Sequence, residues 1–129
     1  MSKELTLDLP IAAGSPKQAR DALRELCPDL DQSALIDAEW MLSELLADAL
    51  RCAPHPELTS MTLHAERHDD SLQVSVSNGS AAFRLLSRRP QPGEPAWGIH
   101  LVGLLAAKWG VRRNSRGGQV WFQVPLART

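Results

Sequence analysis

The sequence predicts an α+β fold, in which helices cover one face of a mixed, mostly antiparallel sheet. The first observation behind this prediction is the order of the predicted elements, which runs β-α-α-β-β-loop-α-β-β. Strand-like segments therefore follow one another in pairs instead of alternating strictly with helices, which favours a two-layer α/β sandwich. The second observation is size, because 129 residues of which 43% are hydrophobic can build one core. We predict a single domain over residues 1–129.

The N-terminal part of the chain predicts a strand followed by a helix. Leucines alternate with polar residues over 5–9, as in a half-buried strand, and Pro10 ends the pattern. Ser15 followed by Pro16 is typical of a helix N-terminus, where serine caps and proline takes the first helical position. This helix should end before Pro28.

The longest predicted element is a second helix. Apolar residues at helical spacing begin after Asp31 or Ser33, either of which can serve as the N-cap. The helix should run to about Cys52, because the Pro-His-Pro segment at 54–56 cannot continue it.

The second half of the chain predicts two strand pairs around a loop and a helix. Segments 58–67 and 72–77 form a hairpin that ends at Asn78 and Gly79. Residues 79–97 carry three arginines, three prolines and little periodicity, and a loop of that length is usually functional. The elements that follow are a nearly all-apolar helix at 98–107, which should be buried, and strands at 108–114 and 119–126.

A charged stripe lies on the second predicted helix. Glu44, Asp48 and Arg51 are spaced four and then three residues apart, which places them on one side of a helix. Surface charges at this spacing are common, so the stripe is either a solvated face or the wall of a site. The pattern alone favours the solvated face.

Composition excludes several classes of function. The formal net charge is −1 and the isoelectric point about 6.4, which argues against nucleic acid and anionic membranes as partners. The N-terminus has no apolar signal core, and no apolar run approaches the roughly 20 residues of a membrane span. We therefore predict a cytoplasmic location. Cys27 and Cys52 are predicted as buried thiols, with one disulfide as the alternative.

Four segments carry a resemblance to a known family. In chain order they are SELLADALRCA, VSVSNGS, GIHLVGLLAAKWGV and GGQVWFQV. Together they resemble the histidine-kinase-like ATPase superfamily, the nucleotide-binding module of histidine kinases and gyrase. Within it they are most similar to the stand-alone anti-sigma-factor serine/threonine kinases of bacteria. The resemblance covers nearly the whole chain and implies a Bergerat-type sandwich whose lid is the loop at about 79–97.

The resemblance assigns roles to the charged stripe. Glu44 stands where the family has the glutamate that orients the hydroxyl or water attacking the γ-phosphate of ATP. Asp48 stands where the family has an asparagine that holds Mg²⁺, and a carboxylate is also a good ligand for this ion. Arg51, one turn further on, is a further candidate for nucleotide binding.

The remaining candidate residues depart from the family's pattern. Asn78, followed by Gly79, stands where the family has an aspartate that accepts a hydrogen bond from adenine. The phosphate-binding Gly-x-Gly reads Ala96-Trp97-Gly98, and a methyl group at position 96 costs about 1 kcal/mol if that position needs a positive φ. Gln119 lies where lysine and threonine often approach the phosphates.

These departures leave two functions open. The first is a kinase that binds ATP and Mg²⁺ and phosphorylates a serine or threonine of a small antagonist protein. The second is a degenerate binding module that recognises a sigma factor or an antagonist without chemistry. Both would control transcription by partner switching, and the resemblance also implies a homodimer. A third reading is an unrelated small α+β domain.

Other conspicuous residues have structural interpretations. Trp40, Trp109 and Trp121 are predicted to pack rather than to stack on a ligand. His100 is predicted to be a satisfied histidine within the core or at its rim. The arginines of the lid and of the last hairpin are predicted to form solvated surface, although they could also meet an acidic partner.

Overall fold

The three-dimensional arrangement comes from a computed structural model, which describes residues 3–10, 15–28, 32–52, 60–78, 90–94, 96–114 and 117–126. The order of elements matches the sequence prediction. The elements are β1 (Lys3–Pro10), α1 (Ser15–Leu26), α2 (Gln32–Cys52), β2 (Ser60–Arg67), β3 (Ser71–Asn78), α3 (Trp97–Leu105), β4 (Lys108–Asn114) and β5 (Gly117–Pro125).

The five strands form one sheet in the order β1-β2-β3-β5-β4. Each of the four pairings is antiparallel, so the sheet contains none of the parallel pairing that the prediction of a mixed sheet allowed. Strand β5 pairs with both β3 and β4, which places the last hairpin beside the middle hairpin and α3 in the connection between them. The α+β fold class is confirmed.

The hydrophobic core lies between the sheet and the three helices. One row of residues in register crosses the whole sheet on this side, and it consists of Leu7, Leu63, Val76, Val120 and Val111. Leu63, Val76 and Val120 are completely buried. The helices contribute Leu23, Leu42 and Val102, which are also completely buried. The inward-facing residues of the strands and the helically spaced leucines thus pack against each other in one interface.

Helix α2 contacts both other helices and is the centre of the helical layer. It is joined to α1 by a bidentate ion pair, in which Nε and Nη2 of Arg24 lie 2.6 and 3.1 Å from the two carboxylate oxygens of Glu39. Glu39 is buried, and this pairing satisfies its charge. The hydrogen bonds and the charge of Glu39 raise the pKa of Arg24 above its ordinary value.

The second face of the sheet carries no helix among the described elements. It presents mostly polar side chains, because residues on alternate positions of a strand point to opposite faces. Trp121 lies in the middle of this face, and Gly110 is its partner on β4. A Cβ atom at Gly110 would lie 2.6 Å from Nε1 of Trp121, so the indole ring packs directly across the glycine. Packing is therefore confirmed as the role of Trp121.

One carboxyl on the open face has a shifted pKa. The hydrogen bond with the His64 imidazole is the main cause that lowers the pKa of Glu66, and the charges of His64 and His68 act in the same direction. A carboxyl whose pKa is lower in the folded state contributes stability above its ordinary pKa. This contribution is lost as the pH falls through the lowered value.

One of the tryptophan predictions needs correction. Trp40 is 48% exposed on the outer side of α2, so it is not the packing residue that the sequence predicted. Trp109 packs on Gly103, where a Cβ would lie 3.2 Å from its Cζ2 atom, but it stays 41% exposed at the edge strand. Cys27 is buried, as predicted for a core thiol, whereas the side chain of Cys52 lies outside the described residues.

None of the described helices combines the length and the apolar character needed to cross a bilayer.

Candidate functional site

The candidate site is the contact between the second half of α2 and the N-terminus of α3. The backbone N–H of Gly98 donates a hydrogen bond to Oδ2 of Asp48 over 2.7 Å. Asp48 is only 1% exposed, and Gly98 is buried as well. The structure therefore brings together two of the residues that the sequence analysis singled out, although 50 positions separate them.

Glycine is required at position 98 by the closeness of the two helices. A Cβ atom there would lie 2.7 Å from the backbone carbonyl oxygen of Glu44 and 2.8 Å from Oδ2 of Asp48. The first of these neighbours is main chain and cannot move without displacing α2. The N-terminus of α3 thus rests against one turn of α2, the turn that carries the predicted acidic stripe.

A tight turn leads the chain into this contact. The N–H of Glu94 donates to the carbonyl of Gln91 over 3.0 Å, and Gly93 has a φ of 86°. Proline at 92 followed by glycine with a positive φ is the sequence signature of a type II turn. The carboxylate of Glu94 also accepts a hydrogen bond from the N–H of Gln91 over 2.8 Å, so a side-chain hydrogen bond stabilises the same turn.

Ala96 immediately precedes α3 and adopts a left-handed conformation, with φ 72° and ψ 2°. The N–H of Trp97 donates to the carbonyl of Glu94 over 3.2 Å, and the carbonyl of Ala96 accepts the N–H of His100 over 3.0 Å. The predicted condition for strain at this position is therefore met, because alanine pays about 1 kcal/mol or more for a left-handed φ that glycine adopts freely.

Asp48 serves as the cap of α3 from a different helix. Ala96 occupies the N-cap position and has no side-chain oxygen for the unpaired N–H groups of the first turn. The carboxylate of Asp48 fills this role through Gly98. A negative charge at a helix N-terminus is favourable, and a hydrogen bond to a carboxylate is stronger than one to a neutral acceptor.

The residues present do not fit Mg²⁺ at Asp48. One carboxylate oxygen accepts the N–H of Gly98, and Asp48 is almost completely buried. Mg²⁺ requires octahedral coordination and usually retains several waters, for which a contact that cannot accept one Cβ atom leaves no room. The same contact places an internal carboxylate on the N–H of Gly98, the group that the family resemblance assigns to phosphate.

Glu44 lies at the edge of this contact. Its backbone carbonyl faces Gly98, and its side chain is half-buried. The role of Glu44 in orienting an attacking group stays a prediction. For Arg51 and Asn78 the structure describes the backbone but not the side chains, and Gly79 lies outside the described residues. Asn78 is the last residue of β3, paired in register with Met61 and Gly118. Most of the predicted lid, residues 79–89, also lies outside the described part.

Gln119 is not brought to the α2–α3 contact. It is aligned with Ser77 on β3 and Arg112 on β4, in a row that faces the open side of the sheet. Its Nε2 donates to Oγ of Ser77 over 3.4 Å. Nucleotide binding by Gln119 therefore stays a prediction that this position does not support.

His100 departs from its sequence interpretation. Its Nε2 atom is buried and has no hydrogen-bond partner among the described residues, so the ring is not satisfied there as predicted. The ring packs against Trp97, one turn earlier on α3, with centroids 5.6 Å apart and planes tilted by 40°. The signal in the sequence was a histidine in an otherwise apolar helix, directly after the candidate Gly98.

Comparison with known proteins bears on the fold. No family model matches the sequence, and no curated protein matches it. A solved structure that resembles it is the crystal structure of the RsbU and RsbW domains of Rv1364c from Mycobacterium tuberculosis. The similarity covers 98% of this chain with a TM-score of 0.75 and 17% sequence identity, and this chain spans about a third (33%) of the other. At this identity the similarity establishes the fold alone.

Proposed function

We propose that this protein is a regulatory binding module of the anti-sigma type, which sequesters a protein partner and does not transfer phosphate. The partner class is a sigma factor or its antagonist, and the consequence is control of transcription by partner switching. The single observation that carries the non-catalytic part is the hydrogen bond from Gly98 to the buried carboxylate of Asp48. This bond uses the N–H that the family resemblance assigns to a nucleotide's phosphate, which supports the proposal.

Charge and steric hindrance both oppose nucleotide binding at the N-terminus of α3. A triphosphate approaching α3 would meet the negative charge of Asp48, which already uses the N–H of Gly98. Ala96 adds a methyl group to the loop that the family keeps as glycine so that backbone can approach phosphate. These are independent obstacles, and each must be removed before the N-terminus of α3 can hold an external anion.

The fold and the sequence resemblance both support a protein partner. The chain has the fold of a structure that contains an RsbW domain, and the sequence resembles anti-sigma-factor kinases over nearly its whole length. A fold can host more than one activity, so the partner class is our inference from this resemblance. The loss of the phosphate site is compatible with it, because partner binding uses the outer surface of a domain and not its phosphate pocket.

We predict that the full chain binds no nucleotide. Isothermal titration with ATP and MgCl₂, carried to millimolar nucleotide, should give no saturable heat, because Asp48 occupies the N–H of Gly98. Saturable binding of ATP would contradict the proposal. The matched control is ADP without metal, which removes the γ-phosphate and the ion and should likewise give no signal.

Partner binding provides the second arm of this test. Each sigma factor of the source bacterium, together with candidate antagonist proteins, is purified and titrated with the chain in the presence and absence of ATP and MgCl₂. We expect one of them to bind with an affinity that nucleotide does not change. Binding that requires ATP, or no binding to any member of either class, would contradict the proposed function.

The kinase function remains the second candidate because of Glu44. Its backbone carbonyl faces Gly98 and its side chain is half-buried, at a position where the resemblance implies a residue that orients the acceptor hydroxyl. Phosphotransfer would require α3 to move away from Asp48 so that its N-terminus becomes available to phosphate. ATP-dependent phosphorylation of a bound antagonist that is lost in Glu44→Gln would establish this function in place of ours.

A further inference from the structure

A cluster of two histidines and two glutamates lies on the open face of the sheet, away from the contact between α2 and α3. His64, Glu66 and His68 follow one another at alternate positions on β2 and just beyond its end. Glu4 lies directly opposite Glu66 on β1. We propose that Glu4, His64 and Glu66 form a binding site for a zinc ion. This inference is independent of the proposed function.

The distances among the three ligand atoms fit a zinc ion. Nε2 of His64 lies 3.1 Å from Oε1 of Glu66 and 4.0 Å from Oε2 of Glu4. One ligand atom from each of the three side chains lies within 4.8 Å of the others. A tetrahedral zinc ion with bonds of about 2.1 Å holds its ligand atoms about 3.4 Å apart. The observed separations fall on both sides of that value, so small side-chain rotations bring the ligands into place.

The charges of the cluster favour a cation. Glu4 and Glu66 are cross-strand partners, and like charges directly opposite each other destabilise an antiparallel pair. A divalent ion balances these two carboxylates while His64 stays neutral, as a metal-bound imidazole must. The alternative source of positive charge is a proton on His64, which would need no metal. The experiment has to distinguish this alternative from zinc binding.

Two further contacts orient the ligands. Oγ1 of Thr6 lies 2.9 Å from Nδ1 of His64, which leaves Nε2 of the same ring for the carboxylate side. Nε2 of His68 lies 3.2 Å from Oε2 of Glu66, so the second oxygen of this carboxylate is also held. Metal-binding histidines and carboxylates are commonly fixed by such outer partners, which set the tautomer and the direction of the ligand atom.

The donor atoms decide the class of metal. One imidazole nitrogen and two carboxylate oxygens suit zinc and its transition-metal neighbours, whereas Mg²⁺ and Ca²⁺ prefer oxygen ligands alone. All three side chains are at least partly exposed, so water can complete the fourth position. The site is therefore a surface zinc site with three protein ligands.

The test is isothermal titration of the full chain, prepared without a histidine tag, with ZnCl₂. We expect one zinc ion per chain, a higher melting temperature in its presence, and no saturable heat with MgCl₂. His64→Ala and Glu4→Gln should each weaken zinc binding by at least about tenfold, because each removes one of three ligands. Gln73→Ala, opposite Glu66 on β3, and Glu25→Gln, on the exposed side of α1, are controls that should not change it.

Several results would overturn this site. One is the absence of saturable zinc binding, which would leave a protonated His64 as the partner of the two carboxylates. A second is zinc binding that is unchanged in both His64→Ala and Glu4→Gln. A third is equal binding of Mg²⁺. The two substituted residues lie at the surface, so neither variant should unfold. Circular dichroism of each variant will show whether a loss of zinc binding reflects a loss of the fold.

Discussion

Substitution of Gly98 by alanine is expected to lower the free energy of unfolding by about 1–3 kcal/mol, the range typical of an overpacked core. The added methyl group would lie 2.7 Å from the carbonyl oxygen of Glu44, a main-chain atom of the central helix. Relief therefore requires α3 to move away from α2, which lengthens the hydrogen bond to Asp48 at the same time. Chemical denaturation followed by circular dichroism measures the change.

The same helix provides the control for this substitution. Gly103 lies on the side of α3 that faces the Trp109 ring, and a methyl group added there would be 3.2 Å from Cζ2 of that ring. That ring is partly exposed at the edge strand and can shift by the few tenths of an ångström required. Alanine is favoured over glycine inside a helix by about 1 kcal/mol, so Gly103→Ala should leave stability unchanged or raise it slightly. Equal losses in the two variants would show that the contact with α2 is not the cause.

The fold could be predicted from the sequence because its signals are local. Alternating leucines in β1, the long apolar spacing of α2 and the paired segments of the two hairpins each depend on a few neighbouring residues. Pairing between distant strands has no such signal. Although the antiparallel hairpins were expected, the antiparallel sheet of the described strands also depends on β5 joining β3, and α3 and β4 separate these two strands along the chain.

The site was predicted only in part, for a related reason. The resemblance brought Asp48 and Gly98 to the same region, but it did not predict that they contact each other, because in the family their counterparts serve a nucleotide. The contact depends on the aspartate, because a carboxylate at 48 is a stronger acceptor than an amide. Neither alanine nor glycine at position 96 offers a side-chain oxygen, so the first turn of α3 has no cap of its own. The pairing of this helix N-terminus with a carboxylate from another helix is not visible in either segment alone.

Trp40 illustrates the opposite limit. Large aromatic side chains are usually buried, and the sequence interpretation followed that tendency. The helical spacing puts Trp40 four residues after Ile36, which is 55% exposed, so both lie on the side of α2 that faces solvent. The leucines of this helix already fill the side toward the sheet. The helical spacing of the leucines predicted the buried side of α2, and Trp40 and Ile36 do not belong to that spacing.

Replacement of Asp48 should separate its two contributions, the hydrogen bond and the charge. Asp48→Ala leaves the buried N–H of Gly98 without its acceptor and is expected to cost about 2 kcal/mol. The cost is not larger because alanine has the better helix propensity and because the variant no longer buries a carboxylate. Asp48→Asn retains an acceptor oxygen for Gly98 but loses the charge and brings a buried NH₂ group, and we expect a smaller loss of about 1 kcal/mol. A larger loss in Asp48→Asn than in Asp48→Ala would contradict the capping role.

The asparagine variant also tests the proposed absence of nucleotide binding. If the charge of Asp48 is the main obstacle, Asp48→Asn should bind ATP with Mg²⁺ measurably while the wild-type chain does not, because a neutral amide neither repels phosphate nor competes as strongly for Gly98. Adding Ala96→Gly removes the methyl group at the left-handed position and should strengthen binding further. The effect of Asn78→Asp in the same background tests the adenine contact separately. Failure of all three combinations to bind would place the obstacle in the closeness of α2 and α3 themselves, since that packing persists when every charge and methyl group at issue has been removed.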